Sequence, residues 1–421
     1  MSIDPTNQKF RIAIVVQGFP ELTETFVSLQ VAELVRRGHQ VKVYAFGREG
    51  EWEWLPPDIG AEIGAIQTRH MRTEDGELKG KRFLYWKAAY LLLRRPKAMW
   101  AAWRGGALSQ RGSKFALIIS RAYLMRDLSK HDIIHCQFST QALPVLKLRK
   151  LGFLNRKPKI FASVRGHDLT KNPDQNQWNR LLDGVDHFLP VCREFESRLS
   201  GMGCKKAISI VRAPVHVNYI QSVRVQDPPH REVRLVSIGR LIEKKGIVDA
   251  LAAMSILDAE GVDFRYSIIG DGELRKSLVD SVRSQGLSDR VRFLGSLPSA
   301  ETLPILGASH ILIAPSKEAE SGDSEGIPNA LKEAMLMGLQ AVSTRHSGIP
   351  ELIQHEENGY LCAEGDPEGL ARTIQEVLVN PEKWPCVAER AAQTVLAEYS
   401  PEKTTNDLIQ AYRSTVTEGI R

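Results

Sequence analysis

Residues 322–351, GDSEGIPNALKEAMLMGLQAVSTRHSGIPE, read in order as loop, helix, strand, loop and the start of a second helix. Pro328 suits the first helical position, where a missing N–H costs little. Leu331, Ala334 and Met335 recur at the spacing of a core-facing stripe, and Gly338 suits a C-cap. Residues 341–344 read as a short buried strand, and Ser347-Gly348-Ile349-Pro350 leads into another helix. Each helix start offers free N–H groups and the positive end of a dipole, a receptor for phosphate. Glu325 precedes the first helix, and Glu333 lies inside it, away from the apolar stripe. A carboxylate there can bind sugar hydroxyls, which makes the stretch a candidate nucleotide-sugar site. For Glu333 the plain alternative is a solvated helix face.

The same alternation extends in both directions. RIAIVV (11–16) is a continuous apolar run, as in a parallel strand covered on both faces. The loop QGFPELTET, a helix from about Thr25 to Arg37 and the strand HQVKVYAF complete a βαβ unit. That loop has Gly18 but no G-x-G-x-x-G, which argues against an NAD enzyme. Residues 50–130 are basic, aromatic and helical in character, and strands resume at 132–136, 159–164, 186–191 and 208–211. A polar connection (213–232) leads to a second series: VRLVSIG, a helix from Val248, FRYSIIG, RVRFLG, HILIAP, AVST and GYLC. A helical region at 368–397 follows, and Ser400 then caps a terminal helix that starts at Pro401. Two α/β halves leave a cleft at the carboxyl ends of their strands, where ligands bind.

The composition is that of an ordinary globular protein of two or three domains. Net charge is only +6, yet from Leu78 to Arg126 there is no Asp or Glu at all. Five scattered cysteines lack metal-ligand or redox spacing, which points to a reducing compartment. MSIDPTNQKFR lacks a signal peptide's apolar core. The longest apolar stretch, 83–103, is broken by Lys87, Arg94, Arg95, Pro96 and Lys97, so no bilayer span is expected.

Four strand ends carry chemistry. In SIGRLIEKKG (237–246), Gly239 would admit a ligand to the backbone, and Arg240 and Lys245 are expected to meet phosphate; a solvated basic turn is the plain alternative. Gly270, in IIGDGE, reads by itself as a tight structural turn. His135, in DIIHC, reads by itself as a satisfied structural histidine. Arg165, His167 and Asp168, in SVRGHD, surround a glycine at the end of a buried strand and are expected to face the cleft.

Together these residues resemble the family-4 retaining glycosyltransferases of the GT-B fold, over nearly the whole chain. SIGRLIEKKGIVDAL is similar to the family's G-R-L-x-x-x-K-G donor-phosphate motif, and IIGDGELR to the turn that follows it. Glu325 and Glu333 match its E-x(7)-E pair, and STRHSGIPELI its Gly-x-Pro-Glu loop. FPELTETFV resembles the FPxxSETF segment of exopolysaccharide-type members. Two departures lie on the acceptor side: Arg165 stands where many relatives have His, and His135-Cys136-Gln137-Phe138 replaces HAHF.

The resemblance implies an α/β, GT-B architecture of two Rossmann-like domains. Residues 1–217 would bind the acceptor and 218–400 the nucleotide sugar, with 401–421 packing back on the first domain. Arg240, Lys245 and Glu325 would act in catalysis, with His167 or Asp168 near the reacting centre. Gly18, Gly239, Gly270, Gly326, Ile327, Pro328, Asn329, Glu333 and Gly348 would hold the donor. Thr25, His135 and Arg165 are acceptor-side candidates. No bound cofactor or metal is expected, and no nucleic acid. The expected partners are a nucleotide-diphosphate sugar and a saccharide or lipid-linked acceptor, in the cytoplasm. A nucleotide-sugar epimerase and a non-catalytic sugar-nucleotide-binding partner of an assembly complex are the alternatives. The carboxylate-free stretch Lys79 to Arg126, with Trp86, Tyr90, Trp100 and Trp103, suggests peripheral contact with an anionic membrane. Packing of those aromatics inside the domain is the competing expectation.

Overall fold

The computed structural model describes residues 8–21, 24–47, 57–64, 66–70, 81–107, 112–155, 157–170, 174–217, 220 and 232–418. Leu22, Thr23, Lys79 and residues 221–231 of the expected connection lie outside the described residues.

Two parallel sheets organise the chain. The first holds β1 (Arg11–Val16), β2 (Gln40–Ala45), β3 (Thr68–His70), β4 (Ile133–Cys136), β5 (Lys159–Val164), β6 (His187–Pro190) and β7 (Ala207–Ile208). Their order is β3-β2-β1-β4-β5-β6-β7. The second holds β8 (Val233–Ile238), β9 (Phe264–Ile269), β10 (Val291–Gly295), β11 (Ile311–Ala314), β12 (Gln340–Thr344) and β13 (Tyr360–Cys362). Their order is β10-β9-β8-β11-β12-β13. Central strands are buried on both faces, so they are apolar without alternation. In each sheet the winding reverses beside the first strand, at β1/β4 and at β8/β11. Such reversals open a crevice at the carboxyl ends of the strands.

Differences from the sequence reading are local. β3 is three residues long, too short for a periodic signal, and it sits in the region read as wholly helical. β7 ends at Ile208, although Ser209 and Val211 still donate to the carbonyls of Phe188 and Pro190. The helical region near 368–397 is two helices, Pro367–Val379 and Trp384–Tyr399, separated at Pro381. Pro328 has an extended ψ of 131°, so the helix begins one residue later, as Asn329–Met337. Gly338 ends that helix in the left-handed conformation, with φ at 92°.

The helix Pro401–Glu418 crosses back to the first half, and Ser400 Oγ accepts from the Lys403 N–H at its start. Leu408, Ile409, Ala411 and Tyr412 join the core formed by Phe10, Ile12, Val31 and Phe161. Polar bonds lock the arrangement. The Tyr412 hydroxyl is 2.7 Å from His135 Nδ1, and the Thr415 hydroxyl is 2.6 Å from His187 Nδ1.

His39, His135, His187 and His310 are all buried. Burial pushes His135 down to about 3 and the other three to about 4, so all are neutral in the fold. An unfolded histidine takes up its proton near pH 6.5. Below that pH the unfolded state binds more protons, so stability falls as pH drops toward about 4. The slope is at most about 1.4 kcal/mol per pH unit for each histidine. Urea midpoints at neutral and mildly acidic pH measure this loss, and an unchanged midpoint would contradict it.

Candidate active site

The carboxyl ends of both sheets face one cleft of about 760 Å³. Gln17, Glu24, Thr25, Arg165 and His167 line it from the first half. Gly239, Arg240, Lys245, Gly270, Glu325 and the start of the helix Asn329–Met337 line it from the second.

The second half concentrates cations on that wall. The turns after β8 and β9 lie back to back. A Cβ on Gly270, whose φ is 136°, would stand 1.8 Å from the Gly239 carbonyl, so only glycine fits. Beyond them, Lys245 Nζ is 2.9 Å from Glu325 Oε2. Arg240 is exposed in the cleft and makes no ion pair among the described residues. Burial would raise the Glu325 carboxyl, but Lys245, Lys244 and Arg240 outweigh it and hold the group below its ordinary value. Glu325 is therefore a carboxylate. Its backbone N–H donates to His346 Nε2 at 3.1 Å, which leaves the proton on Nδ1 to bond Glu364 at 2.9 Å.

Gly326, Ile327, Pro328 and Asn329 bring the helix start into the cleft. Its first N–H groups have no intrahelical partner, as at any helix start. Glu333, about one turn on, is half-buried in the cleft wall. Burial raises its carboxyl, partly offset by Lys332. The solvated-face reading of Glu333 is therefore overturned. Lys332 is buried and donates to the Ala213 carbonyl at 2.8 Å. Burial lowers it to about 7.

On the first half, Arg165 is held from two sides. Its guanidinium donates to the carbonyl (3.0 Å) and the side-chain oxygen (2.7 Å) of Gln137, and lies 4.2 Å from the Phe26 ring. Glu24 stands in the same wall, with Oε2 shut away from solvent and without a hydrogen-bond partner among the described residues. Burial raises its carboxyl to about 7, against the pull of Arg165 and with the help of Glu21. Thr25 and His167 complete the wall, with His167 exposed to the cleft.

Four expected site residues are placed elsewhere. Asp168 is buried and accepts from the N–H groups of Ser139, Arg165 and Gly166 at 2.8–3.1 Å. Its lone pairs hold the turn after β5 rather than a substrate. His135 is buried between Tyr412 and the Ser163 hydroxyl (2.8 Å), away from any acceptor. Gly18 lies behind the wall, where a Cβ would meet Glu21 Oε1 at 1.8 Å, and Gln17 faces the cleft in its place. Gly348 packs on the first half, where a Cβ would come within 2.6 Å of Cys192 Cβ.

Gly348 belongs to a contact between the halves. A Cβ on Gly166 would meet the Ser324 carbonyl at 2.8 Å, and one on Gly326 would meet Val191 at 2.9 Å. Ser324 N–H donates to Thr170 Oγ1 at 2.9 Å, while buried Lys244 bonds Asp323 at 3.0 Å and the Ser324 carbonyl at 3.3 Å. Sequence reasoning missed Glu24, Lys244, Lys332 and His346. Glu24 stands within FPELTETF, whereas Lys332, between Leu331 and Glu333, carried no signal of its burial. Among the described residues, the one His/Cys/Asp/Glu cluster with ligand atoms mutually within 4.8 Å is His355, Glu356 and Glu376, outside the cleft.

The family model described as glycosyl transferases group 1 matches residues 221–394. Over 376 residues the chain is 30% identical to the amylovoran biosynthesis glycosyltransferase AmsK of Erwinia amylovora, covering 86% of this chain and 89% of that protein. The crystal structure of Anabaena HepE in complex with UDP superposes with a TM-score of 0.69 at 15% identity, over 96% of this chain and 100% of that chain. Sucrose-phosphate synthase from Thermosynechococcus elongatus gives 0.70 at 16% identity, over 97% and 99%. The structural likeness gives the fold, and the sequence match runs through both halves. The chain belongs to the group 1 glycosyltransferases and has their GT-B fold.

Proposed function

We propose that this glycosyltransferase moves a sugar from a nucleotide-diphosphate sugar to a saccharide or lipid-linked acceptor, with retention at the anomeric carbon. The product would be a polysaccharide or glycolipid, a reading supported by the likeness to a protein of amylovoran biosynthesis. The observation that carries it is that Arg240, Lys245 and the start of the helix Asn329–Met337 together line one wall of the cleft.

The difficulty of the reaction is negative charge growing on the departing diphosphate. Arg240, Lys245 and the N–H groups near Gly326 to Asn329 oppose that charge without reorganising. The proposal invokes no resident metal, because these groups supply the electrostatic role of one. Lys245 now pairs with Glu325. With donor bound, Lys245 turns to phosphate, Glu325 takes sugar hydroxyls, and Glu333 takes the ribose. Asp168, fully used by backbone N–H groups, is a poor nucleophile for a double displacement. A front-face route follows, in which the leaving phosphate oxygen receives the acceptor's proton. Glu24, Thr25 and His167 would line the acceptor's side, with Arg165 as their fixed support. Five unpaired cysteines support a cytoplasmic setting, at the inner face of the membrane if the acceptor is lipid-linked.

Incubation with a panel of UDP- and GDP-sugars, followed by NMR of the anomeric proton, tests the proposal. Slow donor hydrolysis with retained configuration is expected. Inversion overturns the stereochemical assignment. A changed sugar without acceptor indicates an epimerase, and binding without turnover a non-catalytic partner.

Three variant sets refine the assignment. Arg240→Ala or Lys245→Ala lowers turnover by about two orders of magnitude; near-native rates for both would remove them from the diphosphate site. Glu333→Gln weakens binding of the bare nucleoside diphosphate by about 1–3 kcal/mol, as lost charged hydrogen bonds do, while Glu325→Ala impairs transfer. Calorimetry separates the two, and equal, unchanged affinities contradict the division of roles. Glu24→Gln slows transfer about tenfold or more, by loss of a charged hydrogen bond to the acceptor hydroxyl. Only ionised Glu24 accepts that bond, so the native rate rises through about pH 7 while the variant's stays flat. Superimposable pH profiles would exclude Glu24.

A further inference from the structure

The carboxylate-free stretch holds two helices joined end to end at Arg95, Lys81–Arg94 and Pro96–Ala107, on the first half. Its inner face is ordinary core: Leu91, Ala98, Met99 and Ala102 are buried with Ile118 and Ile119 of the helix Gly112–Leu124. Its outer face is not ordinary. Trp86 is 76% exposed, Leu93 84%, Trp100 59% and Trp103 58%. Trp86, Tyr90 and Leu93 recur at helical spacing along one side of the first helix, and Lys97, Trp100 and Arg104 along one side of the second. Arg94, Arg95, Lys97 and Arg104 are exposed beside them, and the Arg104 guanidinium lies 4.7 Å from the Trp100 ring. The expectation that these indoles pack inside the domain is therefore overturned. Lys87, from the same stretch, is buried near the Tyr123 ring and takes no part.

Clustered exposed indoles and leucines mark an interaction surface. A second copy of the chain is disfavoured there, because a two-fold contact would bring the same cations together. An acidic polysaccharide would pair with the arginines but leave Leu92 and Leu93 in water. An anionic bilayer meets both demands, with indoles at the headgroup level and cations on lipid phosphates. No helix among the described residues is long and apolar enough to cross a membrane, so the contact is peripheral.

We propose that the outer face of this helix pair docks the enzyme on an anionic lipid bilayer, beside a lipid-linked acceptor. The acceptor clause rests on the transferase reading, whereas the docking itself does not.

Co-sedimentation with vesicles of phosphatidylcholine alone, or mixed with phosphatidylglycerol, tests it. Binding to the mixed vesicles is expected, with little to the neutral ones, and loss at high salt. Arg94→Glu/Arg95→Glu/Lys97→Glu weakens it about a hundredfold. Trp86→Ser/Trp100→Ser/Trp103→Ser weakens it about tenfold or more and removes a blue shift of tryptophan emission on binding. Both variants should keep native donor hydrolysis in solution, since none of these residues lines the cleft. No binding of the native chain to mixed vesicles at low salt overturns the proposal. So does full binding by both variants, self-association lost in the tryptophan variant, or binding to an acidic polysaccharide in place of lipid. Vesicle binding without donor hydrolysis strikes the transferase reading and leaves docking intact.

Discussion

Backbone meets backbone where the two halves close, and the site depends on that approach. Gly166, Gly326 and Gly348 each stand where a single methyl would wedge the halves apart. The segment 323–325 is held there from both sides, by Thr170 of the first half and Lys244 of the second. Glu325, the last of these residues, is steadied by His346. The carboxylate nearest the donor's expected place is therefore positioned by the domain contact as well as by its own loop. Packed contacts of this kind tend to be bistable rather than gradually deformable, so the cleft is either assembled or not.

Electrostatics in the cleft follow from uneven burial. Glu325 is surrounded by cations and stays ionised, whereas Glu24 and Glu333 are pushed upward by desolvation. Near neutral pH the cleft is thus more positive than its residue types suggest. Arg240 makes no ion pair among the described residues. A low-dielectric wall with an unspent cation concentrates anions, which suits a diphosphate arriving from solution.

Most of the fold was legible because parallel strands are apolar throughout and helix ends carry distinct residues. Gly338 and the Ser400-Pro401 pair marked their boundaries, while two- and three-residue strands left no pattern to find. The second half's share of the cleft lining was legible for a similar reason: Arg240, Lys245 and Glu325 stand close in sequence to the strand ends or helix start that present them. The first half's share was not. His135 has the residue type of a ligand, and its true partner, Tyr412, lies 277 residues away. Asp168 turns inward to its own loop. A glycine that admits a ligand and one that admits another domain look the same in sequence, hence the misplacement of Gly348. Which face of the helix pair at 81–107 meets solvent is likewise decided by tertiary packing.

The returning helix Pro401–Glu418 has a consequence for how the protein is made. Its Tyr412 fills the core of a half whose β4 was translated 277 residues earlier. At ordinary elongation rates, that interval is roughly 15–55 s. Throughout it, His135 and His187 have no Tyr412 or Thr415 to bond, and Phe10 and Phe161 lack their aromatic cover. The second half can complete its sheet while the first is still waiting. The usual vectorial order is thereby inverted: the part that emerges first from the ribosome is the last to close its core.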